Sequence, residues 1–201
     1  MRVLMIIPAY NEEESIFETV TSILNYRKKV DFDLDYVVIN DGSTDKTKQI
    51  LEENHFNAVN LVMNLGIGGA VQTGYKYALE HDYDVAVQFD GDGQHDIESL
   101  SDLLEPIRKK EADLVIGSRF VGDVKSEFQT TFMRRFGISV ISNLIKWTTG
   151  QRVLDTTSGY RLADKAVIKQ FAKRYPIKYP EPETIVHILK LHLLLFRLPR
   201  K

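Results

Sequence analysis

The sequence predicts a layered α/β domain with a mainly parallel sheet, and two patterns support this. Short apolar runs alternate with segments in which apolar residues recur every three or four positions, as expected for strands alternating with helices. Short turns rich in glycine, asparagine or aspartate join them. Because parallel strands need a crossover connection that is usually helical, the alternation favours a parallel sheet. At 201 residues and 43% hydrophobic, the chain is long enough for one well-cored domain.

The predicted strands are apolar runs bounded by turn residues. The first run ends at Pro8, which has no backbone N–H with which to extend a ladder in a central strand. The fourth ends just before a glycine-rich acidic stretch that begins at Asp90. In chain order, strands are expected at Val3 to Ile7, Tyr36 to Ile39, Ala58 to Met63, Asp84 to Phe89 and Leu114 to Gly117.

The predicted helices carry apolar residues at helical spacing. The first contains Ile16, Val20 and Ile23 and follows acidic residues at 12–14, which suit a helix N-terminus. The helix expected from Phe132 to Trp147 is apolar over much of its girth, which fits either a buried core helix or an interfacial one. The remaining helices are expected through Ile50 and Leu51, from Ala70 to His81, from Ile97 to Lys110 and from Ile185 to Leu195.

Composition and charge restrict the classes of function. The chain has no cysteine, which excludes disulfides and thiolate metal sites and fits a cytoplasmic protein. Its first residues do not resemble a signal peptide, and no run approaches the ~20 apolar residues needed to span a bilayer. The formal net charge of −2 combines −12 over residues 1–124 with +10 over residues 125–201. The basic half is expected to meet phosphates or an anionic lipid surface, although solvated helix faces would give the same count.

Polar or glycine-rich clusters follow four of the predicted strands. One residue represents each cluster: Asn11, Asp41, Gly66 and Asp90. In an open α/β sheet, ligands bind outside the carboxyl ends of the strands. These four clusters are therefore expected to converge on one edge of the sheet and to form a binding site there.

The stretch after the fourth strand contains two carboxylates two residues apart. In an extended segment Asp90 and Asp92 point to the same side, where they repel unless a cation lies between them. A hard divalent ion with oxygen ligands, Mg²⁺ or Mn²⁺, fits this arrangement, and Gln94 offers a further oxygen. Gly91 lets the backbone bend and lets a bulky anion approach. The alternative is an acidic turn left in solvent.

Six motifs occur in an order that resembles glycosyltransferase family 2, and most closely the dolichol-phosphate mannose synthase and polyprenyl-phosphate glycosyltransferase group. The likeness extends to about Glu183 and implies a GT-A type fold, a Rossmann-like α/β sandwich that binds a nucleotide sugar and a divalent metal. The motifs are Pro8-Ala9-Tyr10-Asn11-Glu12, Asn40-Asp41-Gly42-Ser43-Thr44-Asp45, Gly66-Ile67-Gly68-Gly69-Ala70, Asp90-Gly91-Asp92, Gly117-Ser118-Arg119 and Ser158-Gly159-Tyr160-Arg161.

The resemblance implies a role for each motif on the donor side. A metal on Asp90, Asp92 and Gln94 would stabilise the leaving nucleoside diphosphate as a Lewis acid. The residues implied to line the nucleotide-sugar pocket are Pro8, Tyr10, Glu12, Asp41, Gly68, Asp90 and Gly91. The glycines at 66, 68 and 69 are not a dinucleotide fingerprint, because Val71 stands at the third glycine position.

On the acceptor side the resemblance implies a lipid monophosphate held by arginines. A phosphate is already an anion at neutral pH, so it needs positioning more than a general base. The residues expected to hold it are Arg119, Arg134, Arg135 and Ser139, and the expected catalytic set is Asp92, Arg119, Asp155 and Arg161. Asp155 would act as a base on a hydroxyl acceptor or orient an arginine. Arg161 is expected to serve a phosphate and to lie outside the core.

The chain departs from the family pattern in two places. Asn40 stands where many relatives carry aspartate, which is expected to weaken one donor contact. After the last predicted helix, residues 190–196 replace the turn and strand with which the family usually continues. A single domain over residues 1–201 is therefore expected, with a donor and metal half at 1–124 and an acceptor half at 125–201 whose C-terminus is either truncated or altered.

The leading hypothesis is an inverting, metal-dependent hexosyl- or N-acetylhexosaminyltransferase that acts on a polyprenyl phosphate in cell-envelope polysaccharide biosynthesis. It would work in the cytoplasm, peripherally on the inner face of the membrane, with an anchoring subunit or a second copy as possible partners and without nucleic acid. A family relative that extends a polysaccharide at a sugar hydroxyl, and an inert nucleotide-sugar-binding subunit, are the alternatives. A sugar nucleotidyltransferase is disfavoured, because a Gly-rich basic loop does not follow the first strand.

Overall fold

A computed structural model of the chain describes residues 1–89, 97–118, 160–176, 184, 188, 191 and 193–199. These residues form a seven-stranded sheet with helices on both faces. In chain order the elements are β1 (Arg2–Ala9), α1 (Ile16–Arg27), β2 (Asp33–Asn40), α2 (Thr47–Glu53), β3 (Ala58–Asn60), α3 (Gly66–Glu80), β4 (Val85–Gln88), a 3₁₀ turn (Ile97–Ser99), α4 (Leu100–Arg108), β5 (Leu114–Ser118), β6 (Arg161–Asp164), α5 (Lys165–Lys173) and β7 (Leu195–Pro199).

The sheet is mainly parallel, as predicted. Its strand order is β3-β2-β1-β4-β6-β5-β7. The pairs β1–β2, β1–β4, β2–β3 and β5–β7 are parallel, and β6 alone among these strands runs antiparallel to both of its neighbours. The ends of β1 and β2 lie side by side in the register, with Ala9 opposite Asn40. The loops that follow these two strands therefore leave the sheet at the same edge.

Alternate residues of the strands build two separate cores. Val3, Met5 and Ile7 pack on one face against α1, α2 and α4. Leu4 and Ile6 pack on the other face against α3 and α5. Because both faces are covered, β1 is apolar from Val3 to Ala9, as expected for a buried parallel strand.

The boundaries of β3 and α3 differ from the prediction in a way that affects the site. β3 ends at Asn60 and not at Met63, since Val62 and Met63 are exposed to solvent. α3 begins at Gly66, four residues before its predicted start, so the glycines at 68 and 69 belong to its first turn. Glycine has a low helix propensity, so the helix was predicted to begin after these residues. Packing of α3 against β1 outweighs that low propensity.

Two strands in the second half were not predicted. β6 is four residues long and begins at Arg161, so it gives no apolar run. β7 begins at Leu195 and pairs with β5, and Leu193 and Leu194 are not helical. The helix predicted to continue to Leu195 is therefore wrong at its end, and a further strand follows it here as in the family pattern. The helix predicted from Phe132 to Trp147 lies outside the described residues.

Candidate functional site

Three loops meet at the carboxyl edge of the sheet and form the described part of the candidate site. The β1 loop spans residues 10–15, the β2 loop spans residues 41–46 and the β3 loop spans residues 61–65. Residues of the β1 and β2 loops hydrogen-bond to one another, and the β3 loop hydrogen-bonds to the β2 loop. The predicted convergence is thus present for the polar clusters at Asn11, Asp41 and Gly66.

Asn11 connects the β1 loop to the β2 loop. Its backbone N–H donates to Ser43 Oγ at 3.0 Å, and its Oδ1 accepts from the Thr44 N–H at 2.8 Å. Asn11 also has a positive φ of 56°, a conformation that asparagine tolerates better than most residues. The residue therefore both turns the chain after β1 and fixes the distance to the neighbouring loop.

Two glutamates continue this connection. The Glu12 N–H donates to Thr47 Oγ1 at 2.8 Å, and the Glu13 N–H donates to Asp45 Oδ2 at 3.1 Å. Glu13 returns the contact by accepting the Lys46 N–H at 2.9 Å. Such reciprocal bonds satisfy backbone donors that the loops would otherwise expose. They make the β1 and β2 loops one unit.

The pKa of the Asp45 carboxyl fits its role as a hydrogen-bond acceptor between the two loops. Burial on its own would raise the pKa of the Asp45 carboxyl, but hydrogen bonds from Thr47 and from the Glu13 N–H more than offset it. The net effect is a lowered pKa, because hydrogen bonds to the charged form favour it. Asp45 is therefore a charged structural acceptor, and sequence reasoning did not single it out.

Asp41 lies where the three loops meet. Its N–H donates to the Ala9 carbonyl at 2.8 Å, and its Oδ1 accepts the Leu65 N–H at 2.7 Å. Only 3% of the residue is exposed. Asp41 thus holds the β3 loop with one carboxylate oxygen.

Gly42 permits the close approach of the β2 and β3 loops. Its φ is +69°, and a Cβ built at this position would lie 2.8 Å from the Asn64 nitrogen and 2.8 Å from the Met63 carbonyl carbon. A side chain would therefore collide with backbone that cannot rotate away. The sequence motif predicted a turn here, but the approach of the β3 loop is visible only in the structure.

Asn40 has a structural role at the end of β2. Its Nδ2 donates to Asn60 Oδ1 at 2.7 Å, and its Oδ1 accepts the Ser43 N–H at 3.2 Å. Asn40 is buried, and both ends of its amide are occupied by protein groups. The residue ties the end of β2 to β3 and to the β2 loop.

The remaining described residues of the predicted donor set lie around these loops. Pro8 is half-buried at the end of β1, and Gly68 is buried in the first turn of α3. Tyr10 is 47% exposed. Glu12 is half-buried and accepts from the Ser15 hydroxyl through Oε2 at 2.5 Å. The exposed Tyr10 ring, next to these polar loops, is suited to contact a planar ligand ring that carries hydrogen-bond donors on its edge.

The end of β4 leads to the predicted metal ligands. Gln88 is buried, and its Oε1 accepts from the Tyr175 hydroxyl at 3.1 Å. The ring of Phe89 packs edge-to-face against Tyr160 at 5.7 Å between centroids. The end of β4 lies at the same edge of the sheet as the three loops, and the next residue in the chain is Asp90.

Arg161 lies in the core, contrary to the prediction that it lies outside. It is 0% exposed, stands beside Gln88 in the β4–β6 register and donates from Nη1 to Thr184 Oγ1. The nearby Tyr75 is also fully buried, and burial raises its pKa well above the ordinary value, followed in size by the effect of Tyr175. A buried cation is kept where polar partners compensate its lost hydration.

This burial changes the expected effect of replacing Arg161. We expect Arg161→Lys to lower the free energy of unfolding by about 2 kcal/mol, because lysine cannot reproduce the contacts of the planar guanidinium. A thermal-unfolding comparison with Arg174→Lys, an exposed arginine just after α5, checks this. An unchanged midpoint with lost activity would instead assign Arg161 to a phosphate.

The other predicted site residues lie outside the described residues. They are Asp90, Gly91, Asp92, Gln94, Arg119, Arg134, Arg135, Ser139 and Asp155. Their assignments as metal, acceptor or catalytic residues remain predictions. Within the described ranges, no group of three or more His, Cys, Asp or Glu residues could hold a metal ion. The helices in those ranges also include none with the length and apolar composition required to cross a membrane.

Comparison with solved structures supports the GT-A type fold. Glucosyl-3-phosphoglycerate synthase from Mycobacterium tuberculosis, solved with Mn²⁺, UDP-glucose and phosphoglyceric acid, gives a TM-score of 0.71 at 19% identity over 98% of this chain and 69% of that chain. TarS from S. aureus, solved with UDP, gives 0.65 at 23% identity over all of this chain and 59% of that chain.

Named relatives are more similar in sequence. The UDP-N-acetylglucosamine–dolichyl-phosphate N-acetylglucosaminyltransferase of Methanococcus voltae is 34% identical over 85% of this chain and 74% of its own length. The undecaprenyl-phosphate mannosyltransferase of Micrococcus luteus is 38% identical over 80% of this chain. This chain spans 65% of the Micrococcus luteus protein and 64% of a polyprenol monophosphomannose synthase from Mycolicibacterium smegmatis.

The family model for "Glycosyl transferase family 2" matches residues 5–174. That match covers β1 to α5, including the three loops and the end of β4 that build the described site. Together with the relatives, it confirms the resemblance first indicated by the motifs. The chain is a glycosyltransferase and belongs to glycosyl transferase family 2.

Proposed function

We propose that this chain transfers a sugar, with inversion, from a nucleoside diphosphate sugar to a polyprenyl phosphate at a membrane surface. The observation that carries the proposal is the rigid assembly of the β1, β2 and β3 loops beside the end of β4. The connected loops are suited to bind a nucleoside next to the point where Asp90 and Asp92 follow in the chain. The relatives named above act on dolichyl, undecaprenyl or polyprenol phosphates, which supports the acceptor class.

On the donor side, the three loops supply binding and orientation. The Tyr10 ring is accessible to a nucleobase, and the Asp41 carboxylate lies where the loops meet. The connected loops are held before a ligand arrives, which reduces the ordering cost of binding. Glu12, which is held by Ser15 and by Thr47, is suited to accept a hydrogen bond from the ribose.

The metal belongs to the diphosphate part of the donor. Two carboxylates and an amide oxygen match the oxygen ligands that Mg²⁺ and Mn²⁺ take in proteins, and these residues follow β4 in the chain. When bound there, the ion would neutralise charge that develops on the leaving diphosphate. We therefore assign Asp90, Asp92 and Gln94 to this role.

Most of the acceptor groups come from the basic half of the chain, residues 125–201, and one comes from just before it. Arg119, which follows β5 directly, is assigned to phosphate oxygens together with Arg134, Arg135 and Ser139. A phosphate acceptor is already ionised, so these residues position it and need not deprotonate it. Asp155 is assigned to orient an arginine, and it becomes the general base only if the acceptor is a hydroxyl.

Release of the nucleoside diphosphate tests the proposal. With Mn²⁺ and a nucleotide sugar, we expect slow release that rises when polyprenyl phosphate is added and stays at baseline when the polyprenol without phosphate is added. Stimulation by a saccharide but not by the lipid phosphate would favour the polysaccharide-extending alternative. An absence of release under every condition would favour the inert binding subunit.

Contact with an anionic membrane is expected from the +10 charge of residues 125–201. We expect the chain to sediment with vesicles that contain anionic lipid, and salt to weaken this binding because charges are screened beyond ~8 Å at physiological ionic strength. Reversing Arg134 and Arg135 to glutamate should weaken sedimentation and raise the apparent acceptor requirement. The control reverses Lys28 and Lys29, an exposed pair just after α1. Equal loss in both variants would refute a specific basic surface.

A further inference from the structure

Asp45 and Glu13 join the β1 loop to the β2 loop through backbone N–H groups, and the two carboxylates do so unequally. Asp45 accepts with both oxygens, since Oδ1 takes the Thr47 N–H at 2.9 Å and Oδ2 takes the Glu13 N–H at 3.1 Å. Glu13 is exposed, and the bond that it accepts from the Lys46 N–H at 2.9 Å uses Oε2. The junction therefore requires two acceptor oxygens from Asp45 and one from Glu13.

The junction lies beside the groups that are proposed to bind the nucleotide. Tyr10 and Glu12 belong to the β1 loop, and Asp41 belongs to the β2 loop. The Glu12 N–H donates to Thr47 Oγ1 at 2.8 Å, and Thr47 is fully buried. Because the N–H of the same Thr47 is held by Asp45, Asp45 also helps to fix the backbone of Glu12.

We infer that Asp45 is a positioning residue for nucleotide binding, which sets the separation of the β1 and β2 loops before the donor arrives. The inference rests on the proposed function, because it assumes that a nucleotide binds between these loops. Asn11 also joins the two loops, through Ser43 and Thr44. Loss of the Asp45 bonds therefore lowers the fraction of molecules in which the loops are joined and does not reduce it to zero. The apparent affinity for the nucleotide falls with that fraction.

Asp45→Asn is the substitution that this geometry opposes most specifically. An amide has one oxygen that accepts and one nitrogen that only donates. In either orientation, the amide nitrogen would face the N–H of Thr47 or the N–H of Glu13, so donor would meet donor. We expect nucleotide to bind about tenfold more weakly, as when about one molecule in ten keeps the loops joined.

Glu13→Gln removes the same charge from the other side of the junction but should be tolerated. The amide oxygen can take the place of Oε2 and accept the Lys46 N–H, while the amide nitrogen faces solvent at this exposed position. Glu13→Ala removes the acceptor altogether. It should weaken binding by about threefold, because water replaces part of the lost bond, and glutamine should restore the affinity.

Calorimetric titration with UDP and with GDP, with Mn²⁺ and with chelator, measures these affinities well below the thermal midpoint of each variant. Glu14→Gln changes an exposed neighbour by the same charge and should bind as the unaltered chain does. With a nucleotide sugar and polyprenyl phosphate, Asp45→Asn should raise KM for the donor and leave kcat unchanged. This division is expected for a residue that acts on binding and not on the reacting atoms.

Three results would overturn the positioning role and leave the glycosyltransferase function in place. One is an equal loss of affinity in Asp45→Asn and Glu13→Gln, which would assign the effect to charge. Another is a lowered thermal midpoint of Asp45→Asn with unchanged affinity and KM, which would make the residue purely structural. The third is a fall in kcat at unchanged KM.

The exposed position 13 tests the same junction if Asp45→Asn does not fold. Loss of affinity in Glu13→Ala with recovery in Glu13→Gln would support the inference, and unchanged affinity in Glu13→Ala would overturn it. A different result concerns the proposed function itself. Failure of the unaltered chain to bind UDP, GDP, CDP and ADP, even with Mn²⁺, would overturn that function.

Discussion

Asp92→Asn is expected to lower turnover by about 100-fold or more while nucleotide binding in chelator changes little. The substitution removes a negative charge from the predicted metal site, so the ion that would stabilise the leaving diphosphate is held less tightly. The nucleoside pocket should be unaffected, since its hydrogen bonds join the β1, β2 and β3 loops and do not involve β4. Initial rates over a Mn²⁺ titration measure the effect.

The matched control for this substitution is Asp82→Asn. Asp82 lies after the end of α3, and its positive φ of 55° is one that asparagine also tolerates. It loses only an exposed ion pair with Lys165, which contributes little to stability. Full activity of Asp92→Asn, or full activity of the unaltered chain in excess chelator, would show that no metal is held there.

Gly42→Ala is expected to weaken nucleotide binding by about tenfold and to destabilise the fold. The added Cβ would lie 2.8 Å from backbone atoms of Met63 and Asn64, so the β3 loop must move away. That movement would pull the Leu65 N–H from Asp41, whose carboxylate the nucleotide is proposed to use. Positive φ adds a strain of about 1 kcal/mol for any side chain.

Gly66→Ala separates the collision from the strain. Gly66 has a positive φ of +77°, but a Cβ built there meets nothing within 4 Å. The two variants therefore share the backbone strain and differ in the contact with the β3 loop. Calorimetric affinities and thermal midpoints should show a clearly larger loss for Gly42→Ala. Equal losses would mean that the close approach of the two loops does not shape the pocket.

The first half of the fold was predictable because apolar residues are spaced differently in its strands and in its helices. β1 is a continuous apolar run between polar turns, and α1 has apolar residues at helical spacing, so each element is recognisable from local sequence. The run at 193–196 is different, because a short apolar run fits either a helix or a strand. Pairing with β5 decides in favour of β7, and that contact is not local.

The sequence predicted which residues lie at the candidate site, but not which of them hold the loops together. The motifs placed Asn11 and Asp41 at one edge of the sheet, and the structure brings their loops together. Sequence did not show that Asn40 and Asp45 hold the loops together, because the Asn60 side chain and the Glu13 N–H that they contact are distant in sequence. The burial of Arg161 was missed for a similar reason, since arginine is rarely buried and its partner Thr184 is distant in sequence.

Identification of the reaction product tests the central claim most directly. The unaltered chain, incubated with Mn²⁺, a nucleotide sugar and polyprenyl phosphate, should form a lipid whose mass equals that of the polyprenyl phosphate plus one sugar residue. Fragmentation should place the sugar on the phosphate, and the anomeric configuration should be inverted relative to the donor. A sugar found on a saccharide hydroxyl, or found only as free sugar with the lipid phosphate unchanged, would contradict transfer to a lipid phosphate.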